Sequence, residues 1–443
     1  MLSELNFRIM RLTLSFFICL ITGVLYSQSA DTLRVMTYNL LYYGEVTNFC
    51  TSTNNNINDK DDYFGVITSY VKPDVMVVNE MGASQVYADR IIANVLNANG
   101  ENRYQRANIQ NNGFSSLVNA VFYDKNKLAF YNQENVSVAL NNSSLVRVID
   151  IWSFYYKDPN LVENSDTVFF HVIGMHLKAG SNASDAVDRG LATEALMNFL
   201  ENEYEPGYFI AAGDMNLKSS NEAAYQNLTS NEYGAYQFYD PLIPNETWSG
   251  ASTFAYSHTQ STHTSSGCAS GGGLDDRFDL IMMSGQLLED TGLVNYVPNS
   301  YKAVGNDGNH YNLSLLDGTN NSAPAAVLSA LYDMSDHLPV IADFSVKLLD
   351  SVVDSTDSLN GITFGSIKPS HWTIDVYDQQ VEVQYRGNSG SLTVRDLSGR
   401  VVVMKQRVER SNRIDLSALK SGFYIITGND EESTLSKKIF IRN

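Results

Sequence analysis

This sequence is short of positive charge relative to negative. Against 49 Asp and Glu it carries 30 Lys and Arg, a formal net charge of −19, which excludes a protein that grips nucleic acid through a broad basic surface. Any polyanionic substrate must be held locally and with help from a cation. Cysteine is far rarer in number: of three, Cys19 lies in an N-terminal apolar run, and Cys50 and Cys268 allow at most one disulfide, with pairing and two free thiols both open. A serine nucleophile on an elbow would need G-x-S-x-G, which does not occur. The clustered His and Cys residues of a zinc site are missing too. Long apolar runs are absent but for one, LTLSFFICLITGVLY at 12–26. At about 15 residues it is shorter than a bilayer span. With Arg8 and Arg11 before it and SQSA after it, the run reads as the core of an export signal over 1–30 rather than a membrane anchor. Leu20 follows Cys19, which argues against a lipoprotein cleavage site.

The rest is ordinary for a folded protein, 44% hydrophobic and 18% charged, in a chain long enough for two domains. From 31 to 346, short β-branched and aromatic runs recur: LRVMTYNLL (33–41), VMVVNEM (75–81), VFFHVIGMHL (168–177), YFIAAGDMNL (208–217), FDLIMM (278–283) and LPVIADFSV (338–346). Their length predicts buried strands. Residues 63–71 and 191–200 show helical spacing of apolar residues, so the fold class is α/β. An acidic, Ser-rich stretch within 347–371 reads as a linker. Beyond it, 372–443 reads as a small all-β sandwich, with hairpins about Asp396-Leu397-Ser398-Gly399 and about Gly428-Asn429-Asp430.

Unexpected polar residues in the first domain fall at strand ends. Asn39, Glu80, His176, and Asp214 with Asn216 close strands, whereas Asp279 and the pair Asp336-His337 open them. If the last strands run antiparallel to the others, all these side chains reach one sheet edge, where open α/β sheets carry their ligand sites. Carboxylate and amide oxygens suit Mg²⁺ or Mn²⁺, with Ca²⁺ a further candidate. A His beside a carboxylate suits acid–base work or charge stabilisation. Lys178 shares a strand face with His176. Arg277 stands two residues before Asp279, and a structural ion pair is as good a reading for it as phosphate binding. Taken singly, Asn39 also reads as a turn residue and His176 as a core histidine. The stretch SHTQSTHTSSGCASGGG at 257–273 reads as a mobile substrate loop rather than a zinc site.

In this order and separation, TYNLL, PDVMVVNE, HLKAG, AAGDMN, LDDRFDLI and SDHLPV resemble the motif series of the endonuclease/exonuclease/phosphatase (DNase I-like) superfamily. The resemblance implies a four-layered α/β/β/α sandwich. It also implies Glu80, Asn39 and Asp336 as metal residues, Asp214 orienting or deprotonating water, and Asn216 holding a phosphate oxygen. His337, paired with Asp279, becomes base or transition-state stabiliser, and His176 touches phosphate or protonates the leaving oxygen. Lys178 and Arg277 complete the substrate-binding set. The tail, VRDLSGRVV then IDLSALKSGFYII then KKIFIRN, resembles the C-terminal sorting domain of the type IX secretion system of Bacteroidetes, an accessory binding sandwich being the alternative.

Together these features predict a secreted or surface-held, metal-dependent phosphodiesterase, foremost an endonuclease acting on DNA. A phospholipid-headgroup hydrolase and a non-catalytic surface-binding module are the alternatives. The secretion machinery is its one expected protein partner.

Overall fold

The computed structural model describes residues 30–159, 167–242, 246–289 and 292–348, together with strands and one turn between 372 and 441. The expected signal segment and nearly all of the expected linker lie outside these residues. The chain divides near residue 352 into two compact units.

In chain order the first unit contains β1 (Ala30–Tyr43), α1 (Ile57–Val71), β2 (Val75–Gly82), α2 (Gln85–Arg90), β3 (Tyr104–Arg106), β4 (Leu117–Asp124), β5 (Leu128–Val138) and β6 (Ser144–Tyr156). It continues through β7 (Phe169–His176), α3 (Ala183–Glu203), β8 (Tyr208–Asp214), α4 (Ala223–Thr229), β9 (Phe238–Tyr239), β10 (Asp279–Ser284), β11 (Val294–Tyr296), β12 (Lys302–Ala303), α5 (Ala325–Met334) and β13 (Val340–Lys347). The helices start where side chains can meet orphan amides. Asn56 accepts from the Asn58 amide before α1, and Asn182 with Asp185 forms a capping box before α3. Helix α1 ends on Lys72, whose φ is 53°, and Pro73 forbids its continuation.

Two sheets result, ordered β11-β13-β1-β2-β4-β3 with β12 also on β13, and β5-β6-β7-β8-β10-β9. Only β1–β2 and β7–β8 are parallel among these pairings, and α1 and α3 supply their crossovers. Three apolar clusters define the layers. One, with Phe64, Ile67, Leu328 and Leu331, packs α1 and α5 on the outer face of the first sheet. A second, with Leu196, Leu200 and Leu228, packs α3 and α4 on the outer face of the other. The third, with Val35, Val77, Trp152, Val172, Ile281 and Phe344, lies between the sheets. The fold is therefore a four-layered α/β/β/α sandwich. Gly213 shows why one motif residue must be small: at φ +150° a Cβ there would lie 1.8 Å from the Met175 carbonyl oxygen, so no larger residue lets β8 run against β7.

The second unit is all β: β14 (Trp372–Tyr377), β15 (Gln380–Tyr385), β16 (Gly390–Asp396), β17 (Val401–Lys405), β18 (Ser411–Asp415), β19 (Gly422–Asp430) and β20 (Thr434–Ile441). Sheets β14-β15-β18 and β17-β16-β19-β20 enclose Val381, Val383, Leu392, Val394, Leu416 and Ile426. The first expected hairpin is present, although residues 397–400 of its turn lie outside the described residues. The second needs correction: Gly428 and Asn429 pair with Leu435 and Thr434 as strand residues, so the chain reverses after Asp430. Continued ladder pairing outweighs the local turn preference of Gly-Asn-Asp.

Candidate active site

Register decides which side chains meet. Asp214 ends β8 opposite His176 of β7 on one side and Asp279 of antiparallel β10 on the other. In the facing sheet Asn39 of β1 pairs with Asn79 of β2, next to Glu80, and Asp336 and His337 precede β13, antiparallel to β1. The strand directions required for convergence are thus met. Backbone strain gathers at the same edge, where Leu41, Tyr42, Glu80 and Asn216 all have φ between 45° and 57°. Such residues persist only where their surroundings hold them, and they cluster at functional sites.

The cleft is about 430 Å³ and is lined by Tyr42, Glu80, Asp214, Asn216, Asp336 and His337, among others. Asp214 is its centre. Its Oδ1 accepts from the Asn216 side chain at 2.8 Å and amide at 3.1 Å, and its Oδ2 from Asn39 Nδ2 at 3.0 Å. His176 Nε2 lies 3.6 Å and His337 Nε2 3.9 Å from that Oδ2. Burial pushes the Asp214 carboxyl up to about 7, so it can take a proton near neutrality.

The two imidazoles are tuned in opposite directions. His337 Nδ1 sits 2.7 Å from Asp279 Oδ2. Burial disfavours its charged form, but Asp279, Asp214 and Asp336 outweigh that and hold it well above the ordinary histidine range. His176, with Arg147 and His337 nearby, is driven well below that range by burial above all. The two imidazoles are thus biased oppositely, His337 towards its charged form and His176 towards its neutral one, which suits them to different chemistry. Gln260 Nε2 lies 2.7 Å from His337 Nε2 and 3.3 Å from Asp336 Oδ2; it can donate to the imidazole only while Nε2 carries no proton, so this contact is given up when His337 is charged.

The residues able to hold a cation are hard oxygens with unfilled valence. Glu80 accepts from the Tyr42 amide through Oε2 at 3.3 Å, while its Oε1 faces His176 at 3.8 Å. Asp336 Oδ2 accepts from the Ser270 amide at 2.8 Å, and its buried Oδ1 has no hydrogen-bond partner. Burial and the Asp336 charge together raise the Glu80 carboxyl. That excess of buried negative charge is what a divalent cation relieves. Donor atoms of Glu80, His176 and Asp214 also close within 4.8 Å of one another. For Mg²⁺ or Mn²⁺ the oxygen set deserves precedence over the imidazole, because both ions prefer oxygen. Asn39 is less free: its oxygen accepts the Leu41 amide at 3.0 Å while its nitrogen serves Asp214.

Two expected substrate contacts are not gathered here. Arg277 requires correction, since its guanidinium is 1% exposed. It makes a two-pronged pair with Asp240 at 2.7 and 2.8 Å and lies over the Trp248 and Tyr301 rings. Arg277 lies outside β10, so the two-residue spacing that would set it beside Asp279 does not apply, and it is buried with a carboxylate for partner. Lys178 pairs with Asp185 at 2.9 Å and lines a smaller neighbouring pocket with Arg147 and His176. The 257–273 stretch supplies no zinc ligands: His258 bonds the Trp248 carbonyl, His263 stacks on Tyr332, and Cys268 forms a disulfide with Cys50.

Sequence reasoning missed several residues. Arg147, on β6, reaches the Leu177 carbonyl at 3.3 Å and keeps a buried Nε without a partner. A lone Arg in the apolar run of β6 was the available signal. Lys60 is buried on α1 and donates to the Leu40 and Leu41 carbonyls at 2.6 and 2.7 Å, clamping the left-handed turn beside Glu80. Burial brings its ammonium down to about 7. Asn79, Asn119 and Asp150 form a buried relay between the sheets, ending in an Asn79 Oδ1 contact to the Asp214 amide at 2.9 Å.

Comparison with known proteins bears first on the tail. Residues 376–442 match the secretion system C-terminal sorting domain. The C-terminal unit is thus a sorting domain rather than a sugar-binding accessory. No curated protein matches the sequence. Among solved structures, TDP2 of D. rerio in complex with a single-strand DNA product is similar at 14% identity, covering 71% of this chain and 99% of that one, with a TM-score of 0.45. An endonuclease/exonuclease/phosphatase family protein from Bacteroides thetaiotaomicron is also 14% identical, covering 73% and 99%, with a TM-score of 0.42. The mannosyl-6-phosphatase of the same organism is 15% identical, covering 70% and 99%, at 0.41.

Proposed function

We propose that the protein is a secreted, divalent-metal-dependent phosphodiesterase of the endonuclease/exonuclease/phosphatase type, acting on nucleic acid and on DNA first. The observation that carries this reading is the convergence of Glu80, Asp214, Asp336 and the His337–Asp279 pair on one cleft. Glu80 and the free oxygen of Asp336 would hold Mg²⁺ or Mn²⁺, with Asn39 beside them. When bound, the ion supplies Lewis-acid stabilisation of phosphoryl charge.

The chain's own residues supply the rest. Asp214, oriented by Asn39 and Asn216, takes a proton from the attacking water, for which a carboxyl near 7 is well matched. His337, fixed through Nδ1 on Asp279, turns Nε2 towards the cleft, where a phosphoryl oxygen displaces the Gln260 amide and meets a charged donor. Neutral His176 stands 3.6 Å from Asp214 Oδ2 and can pass a proton to the leaving oxygen only after receiving one. An N-terminal signal and the type IX route through the sorting domain would deliver the enzyme to the surface or beyond it.

The test is hydrolysis by the purified full chain of plasmid DNA, RNA, sphingomyelin and a generic bis-phosphodiester, with and without chelator. We expect DNA cleavage that EDTA abolishes and Mg²⁺ or Mn²⁺ restores. Full activity in a metal-stripped sample overturns the mechanism, and sphingomyelin cleavage without DNA cleavage overturns the substrate.

A further inference from the structure

Phe49 is a large aromatic side chain that the fold exposes and yet holds. Its side chain is 73% exposed and has no ring partner among the described residues, but its backbone is fixed on both sides. Its amide donates to Thr47 Oγ1 at 3.1 Å and its carbonyl accepts from Asn54 Nδ2 at 2.9 Å. Neighbouring Cys50 donates to the same Thr47 oxygen at 2.8 Å and is covalently tied to Cys268 across the cleft mouth. Phe49 lines the cleft together with Tyr42, whose amide touches Glu80. A ring left exposed on a fixed backbone is placed to meet a partner supplied from outside.

The surroundings narrow what that partner is. From Tyr42 to Asp59 the chain contains no Lys or Arg, and Lys218 is the one Lys or Arg among the described cleft lining, which also includes the site histidines His176 and His337. A loop that docks on an anionic lipid surface uses basic residues around its apolar tip. A groove that tracks a long nucleic-acid strand needs a basic path. Neither is present. A cleft of about 430 Å³ with one largely exposed aromatic ring, Phe49, among its lining has the size of a single nucleotide unit beside a phosphate.

We propose that Phe49 is a specificity-determining residue that stacks on the base of the nucleotide flanking the scissile phosphate. This rests on the phosphodiesterase reading of the same cleft. The disulfide presents the ring, and substrate selection comes from one base rather than from a long strand.

The experiment compares two diesters with identical connectivity: dithymidine monophosphate, TpT, and the analogue with tetrahydrofuran abasic sugars in place of both nucleosides. In the full chain with Mg²⁺ or Mn²⁺, kcat/KM should favour TpT by roughly 10-fold, the usual worth of one base–aromatic stack. Phe49→Ala should remove most of that preference by lowering the TpT value alone, and Phe49→Trp should keep it. Calorimetric binding of thymidine 5′-monophosphate against methyl phosphate repeats the comparison without catalysis. If neither diester is hydrolysed but Phe49→Ala still abolishes the preference for thymidine 5′-monophosphate, the phosphodiesterase reading fails and the ring's role stands. An unchanged preference in Phe49→Ala, or an equal loss on both members of a pair, overturns the proposal. So does loss of binding to sphingomyelin–phosphatidylcholine vesicles in Phe49→Ala with base preference intact, which would give the ring to a lipid surface.

Discussion

Removing the His337 imidazole should have two consequences that a second substitution separates. The ring's Nδ1 lies 2.7 Å from an Asp279 carboxylate that is fully buried, with its other oxygen unpartnered. His337→Ala therefore removes a charged donor from the cleft and strands a buried carboxylate. The first effect should lower kcat/KM by roughly 10²- to 10³-fold, the usual contribution of one donor to developing negative charge. The second should cost about 3–5 kcal/mol of stability, as for half of a broken buried pair. Asp279→Asn should slow the reaction by as much or less, since it leaves the imidazole present but unfixed. In the double variant the stranded charge is gone, so stability should recover by about 2 kcal/mol or more relative to His337→Ala. Activity should not fall further, because the two residues act as one unit. Diester hydrolysis with Mg²⁺, urea unfolding and Mn²⁺ binding on all four proteins give the cycle. Near wild-type turnover in His337→Ala, or single losses that multiply in the double variant, refutes the dyad and leaves stabilisation of the phosphoryl charge to other residues of the cleft.

Three other outcomes follow from the same structure. His171, half-buried against Phe209 and Tyr204, is brought down to about 4 by burial. A histidine lowered in the folded state gives stability that is present above the unfolded value near 6.5 and lost as pH falls, so urea unfolding should show about 2 kcal/mol less stability at pH 5 than at pH 7 from this group, and His171→Phe should remove that part of the slope. Arg277→Ala should destabilise the fold by about 3–5 kcal/mol by stranding Asp240, whereas replacing Arg277 and Asp240 together with Met and Leu should recover most of it; an Arg277→Ala protein of normal stability but raised KM would restore the phosphate-binding role. Truncation after residue 347 should leave a cooperatively unfolding, active unit in vitro, as limited proteolysis and diester hydrolysis can check.

The strands that carry the site were legible because the site sits at their ends: β1, β2, β7, β8, β10 and β13 are apolar runs terminated by a polar residue. β5 was not, since its LAFYNQENVSV is half-exposed and its polar residues mask the alternation. β4 and β6 hide for a different reason, because Asn119 and Asp150 interrupt them from within and find their partners across the sandwich. Arg147 was overlooked with its strand. Lys60 reads as a solvated helix residue, and nothing local signals that the carbonyls of a strained turn lie over it. Gln260 belongs to a segment without periodicity. The cysteine pairing had no signal at all, the two residues being 218 positions apart.

That pairing has a consequence for when the enzyme becomes complete. The Cys50–Cys268 bond ties the loop that carries Phe49 to the segment whose Ser270 amide holds Asp336. Protein disulfides of this kind persist in oxidising compartments and are kept reduced in the cytosol. Inside the producing cell, then, the two walls of the cleft are separate thiol-bearing loops. The mouth is stapled only once the chain reaches an oxidising compartment.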